Sequence, residues 1–171
     1  MAEKRSEVME RAADREIVLT RLFDAPPTMV WEAWTDPAQV GLWWGPKGFT
    51  TTIEVMAVRV GGVWRLVMHG PDGTDYPNQS TFTEVVPYER LVYRLTGGRR
   101  GGPLVQIEKI AIFEEEAGGT RVTMRAVFAS PEARDRNVRE YGSIEGGKQT
   151  LERLAEHLSL QLSTQTHGGV R

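Results

Sequence analysis

The sequence predicts an α+β domain in which a curved antiparallel sheet of six or seven strands wraps one long C-terminal helix, with two short helices between strands 1 and 2. Three observations carry this. Between residues 49 and 128 apolar positions recur with a period of two, broken by glycine- and proline-rich turns, as in the strands of a meander. Directly after a first strand, proline-led segments at Pro26 and at Asp36 read as short helices. Near the end, Leu151, Leu154, Ala155, Leu158 and Leu162 recur at intervals of three and four, which places them on one helical stripe. Strands joined by tight turns pair antiparallel, and the apolar face they form must be covered. The last helix can cover it: about 20 residues at 1.5 Å each make a rod of about 30 Å, enough to cross a small domain.

In order, residues 1–15 are polar and rich in helix formers, and are expected to form a flexible tail. Residues 16–23 (EIVLTRLF) are the first strand. Pro26 and Pro27 open a helix whose apolar face carries Val30, Trp31 and Trp34. Asp36 is an N-cap with Pro37 at the first helical position, and the second helix, 37–43, stops at Gly45-Pro46. Strand 50–58 is turned by Gly61-Gly62, where a tight connection predicts at least one residue at positive φ. In strand 63–69, Trp64, Leu66 and Met68 alternate with Arg65 and His69, giving one buried and one wet face. Gly70-Pro71-Asp72-Gly73 turns into strand 76–86, and 87–90 turns back into 91–95, with Glu84 and Arg90 placed to pair across that turn. A basic, glycine-rich loop, 97–103, precedes a last hairpin of strands 104–115 and 120–128. There Val122, Met124, Ala126 and Phe128 face one way, and Arg121, Thr123 and Arg125 the other. Ser130-Pro131 opens a short helix that Gly142 ends after Tyr141. The long helix follows over 143–162, and residues 163–171 are expected to be disordered. One domain thus spans 16–162, without internal repeats.

On the long helix Glu152, Arg153, Glu156 and His157 fill the faces away from the leucine stripe, where water is expected. Gly146 and Gly147 interrupt its first turns, each costing about 1 kcal/mol relative to Ala. The pair fits a kink or late start, a close approach by another element, or space left empty beside the helix.

Composition excludes several classes. Lys plus Arg is 21 and Asp plus Glu is 23, so the net charge is 21 − 23 = −2, which does not point to nucleic acid. No apolar run reaches the roughly 20 residues of a membrane span. The charged first residues contain no signal core, so secretion is not expected. Without cysteine there are no disulfides, thiol nucleophiles or cysteine metal sites, which fits a cytoplasmic protein. His69, His157 and His167 have no metal-ligand spacing, and no serine lies in a nucleophile elbow. No catalytic residue, metal or cofactor is therefore assigned.

Several motifs carry a family resemblance. They are Phe23-Asp24-Ala25-Pro26, Trp34-Thr35-Asp36-Pro37, Trp43-Trp44-Gly45-Pro46, Gly61-Gly62-Val63-Trp64-Arg65, Gly70-Pro71-Asp72-Gly73 and the run from Glu84 to Leu91. In this order they resemble the activator of Hsp90 ATPase-like family, part of the START-like, birch-allergen-like helix-grip (SRPBCC) superfamily, over residues 16–162. The resemblance implies a helix-grip fold with a hydrophobic cavity between sheet and long helix. It does not imply one activity, since fold alone does not set function. Two positions depart from the family pattern. Gly147 stands where tryptophan often follows the helix glycine, and Ser80 where glycine usually precedes the aromatic, here Phe82. The first is expected to enlarge the cavity. The eukaryotic activator carries a further Hsp90-binding domain for which this chain is expected to lack room, so a chaperone partner does not follow.

The expected cavity is lined by Trp43, Trp44, Phe49, Trp64, Leu66 and Met68 on one side of the chain order, by Tyr76, Phe82, Tyr93, Met124 and Phe128 from later strands, and by Ile144, Gly147 and Leu151 from the long helix. Trp43 and Trp44 are adjacent and cannot point the same way: one enters the core or cavity, the other caps the mouth. Three functions fit. The leading one is binding of a small hydrophobic or aromatic molecule, lipid or polyketide-like. The others are a polyketide cyclase- or hydrolase-like enzyme, and a protein-interaction module. In the sixth strand Ile107, Ile110, Ala111, Ile112 and Phe113 make both faces apolar, as in a doubly covered strand or a homodimer.

Overall fold

The computed structural model of the protein describes residues 14–168. Seven strands form one sheet, named here β1 (Glu16–Phe23), β2 (Thr50–Met56), β3 (Val63–His69), β4 (Asp75–Val86), β5 (Arg90–Gly97), β6 (Val105–Glu116) and β7 (Gly119–Val127). The helices are α1 (Pro27–Thr35), α2 (Pro37–Trp43), α3 (Pro131–Tyr141) and α4 (Ser143–Gly168). Strand order is β1-β7-β6-β5-β4-β3-β2, and every neighbouring pair is antiparallel. This is the expected helix-grip arrangement, with α1 and α2 between β1 and β2.

Local chemistry explains most boundaries. Asp36 accepts from the Ala38 amide at 3.1 Å and caps α2, with Pro37 in the first turn. Ser130 does the same for α3, whose end is Gly142 in the left-handed region at φ 58°. Gly61 has φ 81°, and the amide of Gly61 and the carbonyl of Gly62 bond to Phe82, so this turn lies directly on β4. Register shifts between Ile53 and Val55 and between Phe82 and Glu84 mark bulges, the device that bends a sheet. Arg90 meets Glu84 at 3.3 Å across the β4–β5 turn, as expected.

The concave face holds the main core. Phe82, Leu91, Ala111, Phe113 and Val122 meet Leu151, Leu154 and Leu158 of α4, with Trp31, Trp34 and Trp43 from the short helices. A second cluster of Ile17, Ile107, Ala126 and Phe128 packs beneath α3, with Ala133, Val138 and Ile144. On the convex face Val92 and Ile110 are buried within the single chain. Ile110 lies opposite Arg125, which pairs with Glu16 at 2.7 Å, so the doubly apolar β6 does not require a second subunit for cover.

Two expectations are corrected. The helix does not end at Leu162: α4 runs on to Gly168, through much of the stretch expected to be disordered. Residues 163–167 contain neither glycine nor proline, and the Thr164 hydroxyl donates to the Leu160 carbonyl at 2.9 Å, so nothing stops the helix before Gly168. The expected N-terminal tail lies, up to residue 13, outside the described residues. His157 is not on the wet side: it is buried and its Nε2 lies 2.9 Å from Gln39 Oε1 of α2. The reason is that α2 packs against α4 on the flank next to the leucine stripe.

Candidate functional site

The two core clusters do not meet everywhere. Between them lies a cavity of about 270 Å³, bounded by β3 to β7, by α3 and by the first turns of α4. A smaller one of about 50 Å³ adjoins it against β1, and Lys109, Met124, Asn137, Ser143 and Gly147 line both.

Aromatic rings build one wall and the rim. Trp44, the residue capping α2, has extended backbone that turns it out of the helix and toward the sheet. Its ring centroid is 4.8 Å from that of Trp64, edge to face, and Trp64 is 5.4 Å from Tyr93. Leu66 and Met68 continue the Trp64 face of β3, as the alternation requires. At the rim Phe49, Tyr76 and Tyr141 form a chain of rings, 5.7 and 6.3 Å between centroids, joining the α2–β2 loop, β4 and α3. Arg99 sits over the Tyr141 ring at 5.7 Å.

The segment carrying Trp44 is tied to α4 by Arg153. Its Nη1 donates to the carbonyls of Trp44, Gly45 and Pro46 at 3.2, 2.9 and 3.1 Å, and its Nη2 to Leu42 at 3.3 Å. A guanidinium there satisfies carbonyls that the end of α2 leaves without helical partners and suits the negative end of its dipole.

Most of the residues expected from the sequence meet here: Trp44, Phe49, Trp64, Leu66, Met68 and Tyr76, together with Tyr93, Met124 and Gly147. Five do not line this cavity. Trp43 is fully buried in the core, where its indole donates to the Ala33 carbonyl of α1 at 2.9 Å. Phe82 lies behind Trp64, ring planes 3° apart. Phe128 lines the smaller cavity, Ile144 packs into the second cluster, and Leu151 belongs to the main core.

Gly147 lines both cavities, with the Leu19 side chain of β1 close on one side of it. A Cβ there would stand 2.5 Å from Leu19 Cδ1, and one at Gly146 would stand 3.3 Å from Pro46 Cγ. The glycine pair lets α4 approach Leu19 of β1 on one side and Pro46 of the α2–β2 loop on the other, while both glycines also border the cavity, so close approach and open space occur together here. Ser80, the other departure, is buried and lines the cavity wall.

Sequence reasoning missed the polar lining. Lys109 is on the inward face of β6, in step with Ile107, Ala111 and Phe113. Counting back by twos from Phe113 would have found it. Burial pulls its ammonium down from 10.5 to about 8, and no carboxylate pairs with it among the described residues. Asn137 is buried on α3, one helical turn before Tyr141, a spacing visible in the sequence. Of the buried donors without a hydrogen-bond partner among the described residues, two belong to residues that line the cavity: Trp64 Nε1 and the Ser143 hydroxyl. The Tyr93 phenol is raised above its ordinary value by burial and stays protonated. Glu140, the carboxylate at the cavity, is exposed. His69 is half-exposed outside the cavity, between Thr52 and Asp75 at 2.8 Å each. Among the described residues no helix is long and apolar enough to cross a membrane.

Solved structures share this architecture. A protein from Mycobacterium smegmatis, seen by crystallography, is 28% identical, with TM-score 0.78, over 86% of this chain and 93% of its own. A solution structure from Arthrobacter aurescens is also 28% identical, with TM-score 0.78, over 85% and 87%. A crystal structure from Nitrosomonas europaea is 26% identical, with TM-score 0.77, over 88% and 98%. No match was found among curated proteins. Residues 24–159 match the family described as activator of Hsp90 ATPase homolog 1-like protein. With the motifs, the seven-stranded sheet and the gripped helix all in that family's order, the chain belongs to the activator of Hsp90 ATPase homolog 1-like family.

Proposed function

We propose that this protein binds a small hydrophobic or aromatic molecule in the cavity between the sheet and α4. The observation that carries the reading is a cavity of about 270 Å³ with Trp44, Trp64, Leu66, Met68 and Met124 in its walls, beside the packed main core. Interiors pack densely, so a space of this size stands out. The volume is near the lower end of the roughly 300–1,000 Å³ of small-molecule sites. It suits a compact ring system better than a long acyl chain. Met68 and Met124 are unbranched and adapt to varied contents. Trp44 and Trp64 stand in the cavity wall and offer aromatic surface to a ligand.

Native mass spectrometry of the protein purified from its own host tests this directly. A mass increment of one small molecule, lost on denaturation, is the expected result. Titration with a compact fluorescent apolar probe is the complementary test, because Trp44 and Trp64 report on the cavity through their own fluorescence. Absence of any bound molecule together with absence of probe binding would refute the proposal.

A further inference from the structure

We infer that the cavity selects a compact amphipathic acid, with the ligand's carboxylate held by Lys109, Ser143 and Asn137 and its apolar body laid along Trp44, Trp64 and Met68. This rests on the binding function proposed above and adds the chemistry of the head group. Lys109 comes from the middle of β6, and its inward neighbours Ile107 and Ala111 are apolar. A lysine at an inward position of an inner strand is costly unless something compensates its charge. No carboxylate within the described residues does so. The one at the cavity, Glu140, is exposed and forms no ion pair with it.

Two further donors converge on the same place. Ser143 and Asn137 line both the large cavity and the small one, as Lys109 does, so all three stand where the two spaces adjoin. The Ser143 hydroxyl is buried without a partner, and the Asn137 side chain is buried and makes no hydrogen bond to protein among the described residues. Ser143 begins α4 and Asn137 sits in α3, while Lys109 is on the sheet. An ammonium, a hydroxyl and an amide from three elements form a set that an anion with several lone pairs satisfies at once. A carboxylate is the smallest organic head that does so while leaving an apolar body for the aromatic wall. The lowered ammonium pKa agrees: the free site lacks an anion, and a bound carboxylate would supply one. The other titratable groups lining the cavity are Tyr93, which is paired with Lys109 across the β5–β6 ladder, Tyr76 of β4, and Glu140 and Tyr141 of α3. None is a cation that would share the anion.

The test compares 2-naphthoic acid with the neutral 2-naphthylmethanol by calorimetry at pH 7, on the whole protein and on Lys109→Met. Wild type should bind the acid at least tenfold more tightly than the alcohol. In Lys109→Met the ratio of acid to alcohol affinity should fall to about one, whatever the change in absolute affinity. Equal binding of both probes by wild type would overturn the acid inference and leave the apolar binding function standing. Binding of neither would overturn both. An acid preference that survives unchanged in Lys109→Met would show that Lys109 does not hold the head group. The wild-type ratio does not depend on any variant, so a misfolded Lys109→Met would still leave a deciding measurement.

Discussion

Replacing Lys109 by methionine should make the ligand-free protein more stable, and by an amount that depends on pH. Methionine is unbranched and of similar length, so it fills the place beside the cross-strand neighbours Tyr93 and Ala126 while the charge is removed. The unfolded chain holds the Lys109 proton up to a pKa of 10.5, and the folded one only to about 8. That difference is about 2.5 pH units, or about 3 kcal/mol at 1.36 kcal/mol per unit. The sign follows from proton counting. Between pH 8 and 10.5 the unfolded state binds more protons, so wild-type stability rises with pH through that window. At pH 7 the full cost of about 3 kcal/mol is present; at pH 9.5 integration leaves about 1 kcal/mol. Urea unfolding of both proteins at pH 7 and 9.5 measures this. Lys109→Met should be the more stable at pH 7, and its advantage should shrink by about 2 kcal/mol at pH 9.5. A stability difference that is the same at both pH values, or a variant weaker at pH 7, would refute an uncompensated ammonium in the cavity.

Three other outcomes follow from the same geometry. Arg153→Met should cost about 2 kcal/mol, because it strips charged hydrogen bonds from the carbonyls of the α2 end; it should also weaken probe binding, since those carbonyls carry Trp44. Unchanged unfolding and probe affinity would count against the tie. Gly147→Ala should be rescued by Leu19→Ala, the double variant being more stable than additivity predicts by about 1 kcal/mol, because the new Cβ meets Leu19 Cδ1 at 2.5 Å. Strict additivity in denaturant melts would place Leu19 elsewhere. Burial lowers the His157 pKa below 6.5, so the folded state resists its protonation. Stability tied to the neutral ring is intact above 6.5 and falls as the pH drops through the folded value. An NMR titration showing His157 at or above an ordinary histidine pKa would contradict this.

How much was legible in the sequence depended on the range of the forces involved. Strand β3 was readable because Trp64, Leu66 and Met68 repeat with the period of the pleat and share the inward face, although Val67 is buried on the face of Arg65 and His69 that was expected to be wet. The caps at Asp36 and Ser130 and the positive φ of Gly61 were readable because each is decided within a few residues. So was the leucine stripe of α4, which has its repeat in the helix itself. The end of α4 was misjudged because polarity alone does not terminate a helix; Gly168 comes six residues after Leu162.

The cavity was a matter of inter-element distance, which no local pattern encodes. Adjacent indoles had to diverge, but only the packing of α1 on α2 sent Trp43 to the Ala33 carbonyl and left Trp44 facing the sheet. Gly147 was visibly unusual, yet whether its missing side chain made room or contact depended on how close α4 comes to Leu19, at the other end of the chain. His157 looked solvated on a helical wheel and became buried because Gln39 reached it from α2. Lys109 carried a readable inward register, but its lack of a partner is a property of three dimensions. Charge compensation acts through space, and the residues that could have supplied it lie on other elements, so the sequence determined the strand and its faces while the tertiary structure alone decided that this ammonium stands unpaired at the edge of a cavity.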